Sequence, residues 1–144
     1  MRVLLDTSVL LAGMIEGHSR HADALPWLQR VKKQELEGVV AAHSLAELFA
    51  ILTALPLRVR IPAATAWQLI QENILEDFEA VVLSEAEYYT ALRSLSLGGG
   101  VGDAISEAII ARVAAKAGVD FLLTLYPEDF QRVWPQGAAK IREP

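Results

Sequence analysis

Residues 4–12 read LLDTSVLLA, and the fold follows from how this stretch is parsed. Val3 to Asp6 is a short apolar run of the length and composition of a buried strand, and the residues after it have helical character from Thr7 or Ser8 onward. A strand that feeds straight into a helix is half of a βαβ unit, and it leaves Asp6 at the strand's carboxyl end.

The pattern recurs along the chain. His21 to Glu37 is expected to be a helix with Leu25, Leu28, Val31 and Leu36 on one face, and with Pro26 tolerable only in the first turn. Gly38 to Ala42 is expected to be a strand, followed by an apolar helix capped by Ser44 that ends near Leu55, before Pro56. Pro62 opens a helix to about Asp77, Glu79 to Leu83 (EAVVL) is a further strand, and Ser84 caps the next helix. After the break at Gly98 to Gly102, Asp103 starts a helix that ends near Gly118. Asp120 to Thr124 (DFLLT) then forms a buried strand, and Pro127 to Trp134 a brief helix. Strands separated by helical crossovers predict an α/β three-layer sandwich, with a mainly parallel central sheet flanked by helices. Ligands of such sheets bind beyond the carboxyl ends of the strands, where Asp6 and the residues after Leu123 fall.

Composition narrows the function. A chain of 144 residues with 53% hydrophobic and 22% charged residues is expected to be one domain spanning 1–144, able to bury roughly 68 to 70% of its unfolded surface. The absence of cysteine excludes disulfides, thiolate nucleophiles and thiolate zinc sites, and agrees with a reducing compartment. The N-terminus carries Asp6 within its apolar run and lacks a cleavage signature, and no long uncharged apolar run follows, so a cytoplasmic protein with no membrane span is expected. The net charge of -5 argues against broad attraction to nucleic acid, although cations bound at converging acids would reverse the local field.

The acids stand out because of their apolar neighbours. Glu47 is the one ionisable acid between Val39 and Leu57, and an isolated buried carboxylate is costly unless a cation or a proton compensates it. His43, one turn earlier, is a possible partner. Asp6 and Asp103 each stand where a helix cap stands, so capping competes with ligation at both. Glu107 follows Asp103 by one turn, and Asp129 follows the DFLLT strand, where a cap or a salt bridge is an equally ordinary role. His18 and His21 precede an amphipathic helix and are read as packing or surface residues. Trp27, Trp67 and Trp134 have helical apolar spacing and are assigned to core packing rather than base stacking. The stretch GGGVGD (98–103) lacks the lysine and hydroxyl of a phosphate loop.

Four pieces in order, LLDTSVLLA, HSLAELFAIL (43–52), GDAISEAIIARVAAKAG (102–118) and DFLLTLYPEDF (120–130), resemble the PIN-domain nucleases, and VapC-type toxins of toxin–antitoxin pairs in particular. The likeness spans nearly the whole chain. It implies a ribonuclease that uses Mg2+ or Mn2+ and metal-activated water, leaving 5′-phosphate and 3′-hydroxyl ends. It maps the catalytic and metal-binding acids onto Asp6, Glu47 and Asp103, with Thr7, Ser8 and Thr124 as hydroxyl partners around them, while the one-turn spacing of Glu107 from Asp103 is what adds Glu107 to the cluster. Where relatives carry a fourth Asp or Asn this chain has Tyr126, which leaves Asp129 as the nearest replacement. An RNA substrate, a homodimer and a small antitoxin partner are further implications, with Arg58, Arg60 and Arg93 as tentative phosphate contacts.

Two rival readings fit the same residues. The Tyr126 departure fits a catalytically weakened RNA- or protein-binding module, which a nuclease assay with manganese separates from an enzyme. An aspartyl-phosphate phosphatase fits a strand ending in Asp, but LLDTSV lacks the second Asp two residues on.

Overall fold

The computed structural model describes residues 1–144. Five strands form one wholly parallel sheet in the order β3-β2-β1-β4-β5: β1 (Arg2–Leu5), β2 (Glu37–Ala41), β3 (Phe78–Val81), β4 (Phe121–Leu123) and β5 (Ile141–Arg142). The helices are α1 (Thr7–Met14), α2 (His21–Lys32), α3 (Ala42–Ala54), α4 (Ala63–Ile70), α5 (Glu85–Leu97), α6 (Ala104–Ala117) and α7 (Pro127–Val133). A π-helical turn over Gln71–Leu75 extends α4, and a 3-10 helix over Pro135–Lys140 leads into β5.

Side-chain alternation along the strands splits the interior in two. Val3 and Leu5 point to the face covered by α1 to α4, with Leu10, Leu28, Leu48 and Ile70 among their neighbours, whereas Leu4 points to the face covered by α6 and α7, with Ile110, Val113 and Phe130. The expected three-layer α/β sandwich is therefore the observed one. No helix is long and apolar enough to cross a membrane.

β1 is the centre of the sheet, and its order reverses there: β2 and β3 were laid down on one side, β4 and β5 on the other. Such a reversal opens a crevice at the carboxyl ends of β1 and β4, because the connections leave toward opposite faces. Asp6 directly follows β1 and Thr124 directly follows β4.

Several local expectations need correction. α2 stops at Lys32 rather than Glu37, since Gln34 adopts a left-handed φ of 58° that turns the chain, and Glu37 opens β2. Pro26 lies inside α2, beyond its first turn, where burial of Ala24, Leu28 and Val31 offsets the lost hydrogen bond. Ser44 caps nothing: α3 starts at Ala42, straight after β2, and the fully buried Ser44 hydroxyl has no hydrogen-bond partner. β3 starts and ends earlier than EAVVL, with Phe78 as its buried residue. Trp67 is 53% exposed and is not a core residue, whereas Trp27 and Trp134 are partly buried against the two cores. The 3-10 helix and β5 carry no apolar period long enough to be read from sequence, and β5 exists because β4 offers it an edge. By contrast Ser84 forms a full capping box with Glu87, and Gly118 ends α6 at φ 62°, as their residue types require.

Candidate active site

Asp6 is 5% exposed, and both oxygens of its carboxylate accept hydrogen bonds from its own fold. Oδ1 accepts the Ser8 backbone N–H at 3.2 Å, so Asp6 does cap α1. Oδ2 accepts the Ser8 hydroxyl at 2.7 Å and the Thr124 hydroxyl at 2.6 Å. These hydroxyls are themselves fixed from β4's far end: Ser8 Oγ accepts the Leu125 N–H at 3.1 Å and Thr124 Oγ1 the Tyr126 N–H at 3.0 Å. The cap explains Asp6 only in part, because a capping Asp is ordinarily solvated and this one is not. Burial pushes its carboxyl above the usual range, the hydroxyl and amide donors pull it back, and the nearby charge of Glu47 pushes it up again.

Glu47 comes from α3 across the crevice. Its Oε1 accepts the Thr7 hydroxyl at 3.1 Å and lies 3.5 Å from His43 Nε2. His43 Nε2 is also 3.0 Å from Ser106 Oγ of α6, so the imidazole bridges the two helices that flank the crevice. With Oε1 engaged twice, Oε2 is left free for a ligand.

Glu107, on α6, is partly buried, and desolvation raises its carboxyl, with the charges of Asp6, Asp129 and Glu47 adding to the effect. Carboxylates from α1's start, α3, α6 and α7 therefore lie within each other's field. Neither Asp6, Glu47 nor Glu107 has a lysine or arginine partner. Asp129 does have one, Arg132 at 3.2 Å, the ordinary role its sequence position allowed. Asp103 makes no side-chain cap to α6 and stands in an open groove with Glu107 and Asp129. No set of three acidic or histidine side chains closes around one point as the ligands of an ion do. An oxygen-only donor set with desolvated, mutually repelling carboxylates still fits a hard divalent cation in kind, since such a cation relieves both costs.

The remaining candidates separate from this cluster. His18 Nδ1 accepts the Arg20 N–H at 3.0 Å and His21 Nδ1 donates to the Ala12 carbonyl at 2.8 Å, so both serve local structure. Arg58 and Arg60 are exposed between α3 and α4, and Arg93 is exposed on α5 away from the groove. The cations that do line the groove, Arg112, Lys116 and Arg132, had no sequence mark beyond their place near Glu107 and Asp129. Tyr126 is 59% exposed at the start of α7.

Comparison with known proteins agrees with this fold. A curated relative, ribonuclease VapC27 of Mycobacterium tuberculosis, is 29% identical over 113 residues, covering 78% of this chain and 76% of that protein. Among solved structures, VapBC2 of Rickettsia felis bound to a DNA fragment from its promoter superposes with a TM-score of 0.68 at 15% identity, over 100% of this chain and 99% of the other. VapC20 of M. tuberculosis, a toxin that cleaves the sarcin-ricin loop, gives 0.64 at 16% over 83% and 86%. FitAB bound to the IR36 DNA fragment gives 0.65 at 18% over 99% and 94%. Likeness at these identities speaks for the fold. The PIN domain model matches residues 3–133, and the chain belongs to the PIN domain family.

Proposed function

We propose that this protein is a metal-dependent endoribonuclease and the toxin of a toxin–antitoxin pair. The observation that carries the reading is the buried Asp6, fixed by three hydrogen bonds at the sheet's switch point, with Glu47 and Glu107 nearby and no lysine or arginine paired to any of them. Membership of the PIN family and the ribonuclease VapC27 relative support RNA as the substrate.

Asp6, Glu47 and Asp103 are the residues assigned to hold the ion, Mg2+ or Mn2+, with Asp129 in a weaker fourth place because Arg132 already engages it. A bound ion would act as a Lewis acid, lowering the pKa of water and offsetting charge on a phosphoryl oxygen. The chain supplies orientation. Ser8 and Thr124 fix the Asp6 carboxylate, while Thr7 and His43 fix one oxygen of Glu47 and so aim the other. Glu107 adds a further carboxyl group to the cluster, its pKa raised by burial and by the charges of Asp6, Asp129 and Glu47. No cysteine exists, and no histidine bears on the crevice except through Glu47 and Ser106, so water rather than a side chain is the nucleophile in this scheme.

The acidic crevice also suits a small antitoxin that presents a basic arm, and the chain is assigned to the cytoplasm as a homodimer. The test is cleavage of structured and unstructured RNA against titrated magnesium and manganese, comparing the unmodified protein with Asp6→Asn and Asp103→Asn. Metal-dependent cleavage lost in both variants supports the assignment, and equal activity in all three refutes it. RNA binding without cleavage at any metal concentration favours the weakened module that Tyr126 and the Asp129–Arg132 pair would fit.

A further inference from the structure

A groove of about 1200 Å³ runs along α6 between α5 and α7, and its two ends differ in charge. Asp103, Glu107 and Asp129 belong to one end, and Arg112 and Lys116 continue along the same helix. At 1.5 Å per residue, Arg112 stands about 7.5 Å past Glu107 along the helix axis and Lys116 about 13.5 Å past it. Lys116 is already committed, to Glu87 at 2.8 Å and to the Val82 carbonyl at 2.9 Å. Arg132 is committed to Asp129. Arg112 is half-buried and has neither an ion-pair partner nor a side-chain hydrogen bond.

An arginine partly withdrawn from water with its donors unused, in a chain of net charge -5, asks for an anion. The rest of the groove says which kind. Between the charged positions α6 presents Ala108 and Ala111, α5 presents Leu95, and Trp134 closes one side, its ring pressed so close to Gly137 that a Cβ there would come within 2.0 Å. Apolar surface beside a free guanidinium suits a chain that offers phosphates and unstacked bases together, whereas a duplex keeps its bases paired and presents chiefly phosphates and sugars.

We propose that this groove carries the single-stranded RNA flanking the cleaved bond, with Arg112 gripping a backbone phosphate about one and a half helical turns from Glu107. The proposal rests on the ribonuclease reading of the acid cluster and adds the path and the phosphate contact.

The experiment is steady-state cleavage of an unstructured RNA in Mg2+ or Mn2+ over a salt series, with anisotropy of the labelled RNA measured in Ca2+ alongside. Arg112→Gln, Arg112→Lys and a control of equal charge change, Arg30→Gln on the opposite face of the sheet, are compared after thermal melts establish folding. Loss of one charged contact raises KM about tenfold in Arg112→Gln, with a smaller fall in kcat. The slope of log affinity against log salt shallows by about 0.7, as for one phosphate on a single strand. Arg112→Lys recovers part of the affinity, and Arg30→Gln changes neither quantity. Equal KM and equal salt slope in Arg112→Gln and the unmodified protein overturn the proposal, as does an equal effect from Arg30→Gln. Arg112→Gln that binds RNA normally but loses self-association by light scattering also overturns it, making the groove a contact between copies. If the unmodified protein fails to cleave at all, the ribonuclease reading falls, and the Ca2+ binding arm still decides whether the groove holds RNA through Arg112.

Discussion

Thr124→Val removes one hydroxyl and almost no volume, so it isolates the hydrogen bond at the centre of the site. Thr124 is fully buried, donates to Asp6 Oδ2 at 2.6 Å and accepts from the Tyr126 N–H at 3.0 Å. A hydrogen bond to a charged group contributes roughly 1.5–3 kcal/mol and the lost acceptor for the Tyr126 N–H about 1 kcal/mol more. A better-buried methyl returns up to about 0.8 kcal/mol. The net expectation is a loss of about 2–3 kcal/mol with Asp6 ionised, and about 1 kcal/mol with Asp6 protonated, when only neutral hydrogen bonds are forfeited. The pH dependence has a definite sign. The Thr124 hydroxyl lowers the Asp6 pKa against the burial that raises it, so it stabilises the carboxylate form. Its contribution is full above the Asp6 pKa of the folded variant, which loss of the hydroxyl leaves higher still, and shrinks as pH falls from there through the folded pKa of the unmodified protein. Urea unfolding of the metal-free protein over a pH series from 4 to 8 follows the change, with Thr124→Ser as the control that keeps the hydroxyl. A loss below about 0.5 kcal/mol at pH 8, or an equal loss across the series, refutes the claim that Thr124 holds a charged Asp6.

Three further outcomes follow from particular contacts. His43→Ala frees Glu47 Oε1 and breaks the link to Ser106, so Mn2+ affinity measured by electron paramagnetic resonance falls by about tenfold or more, with partial recovery in His43→Gln; unchanged affinity contradicts the positioning role. Glu107→Gln deletes a charge that burial and three carboxylates oppose, so it stabilises the metal-free protein. Because the folded Glu107 pKa is raised, the benefit is absent well below the ordinary 4.5, appears as pH rises through it and is complete above the folded value. A melting temperature at pH 8 lower than that of the unmodified protein would count against it. Gly38→Ala puts a Cβ 2.5 Å from Val31 Cγ1 and 2.7 Å from the Phe78 ring, at the second residue of β2, and overpacking of this kind costs roughly 1–3 kcal/mol in chemical unfolding; no measurable loss would mean that the α2 to β3 packing yields.

Local residue patterns were enough to give the layers, the parallel sheet and the family. Local signals suffice there: an apolar run gives a strand, apolar helical spacing gives a helix, and the Ser84–Glu87 box and Gly118 mark their helix ends by residue chemistry alone. The sequence also singled out Asp6 and Glu47, because a lone acid in an apolar run is expensive wherever the chain goes. It misplaced Ser44 because a serine before an apolar run looks like a cap until β2 is seen to run directly into α3. Which side chains share a field was settled by the closed fold. Asp6 meets Thr124 across a separation of 118 residues, His43 meets Ser106 across 63, and Arg112 is left without a partner while Asp129 gains Arg132. Those pairings depend on the sheet order and on α3, α6 and α7 converging at its switch point, and no local period encodes a distance between segments that touch only after the chain has closed.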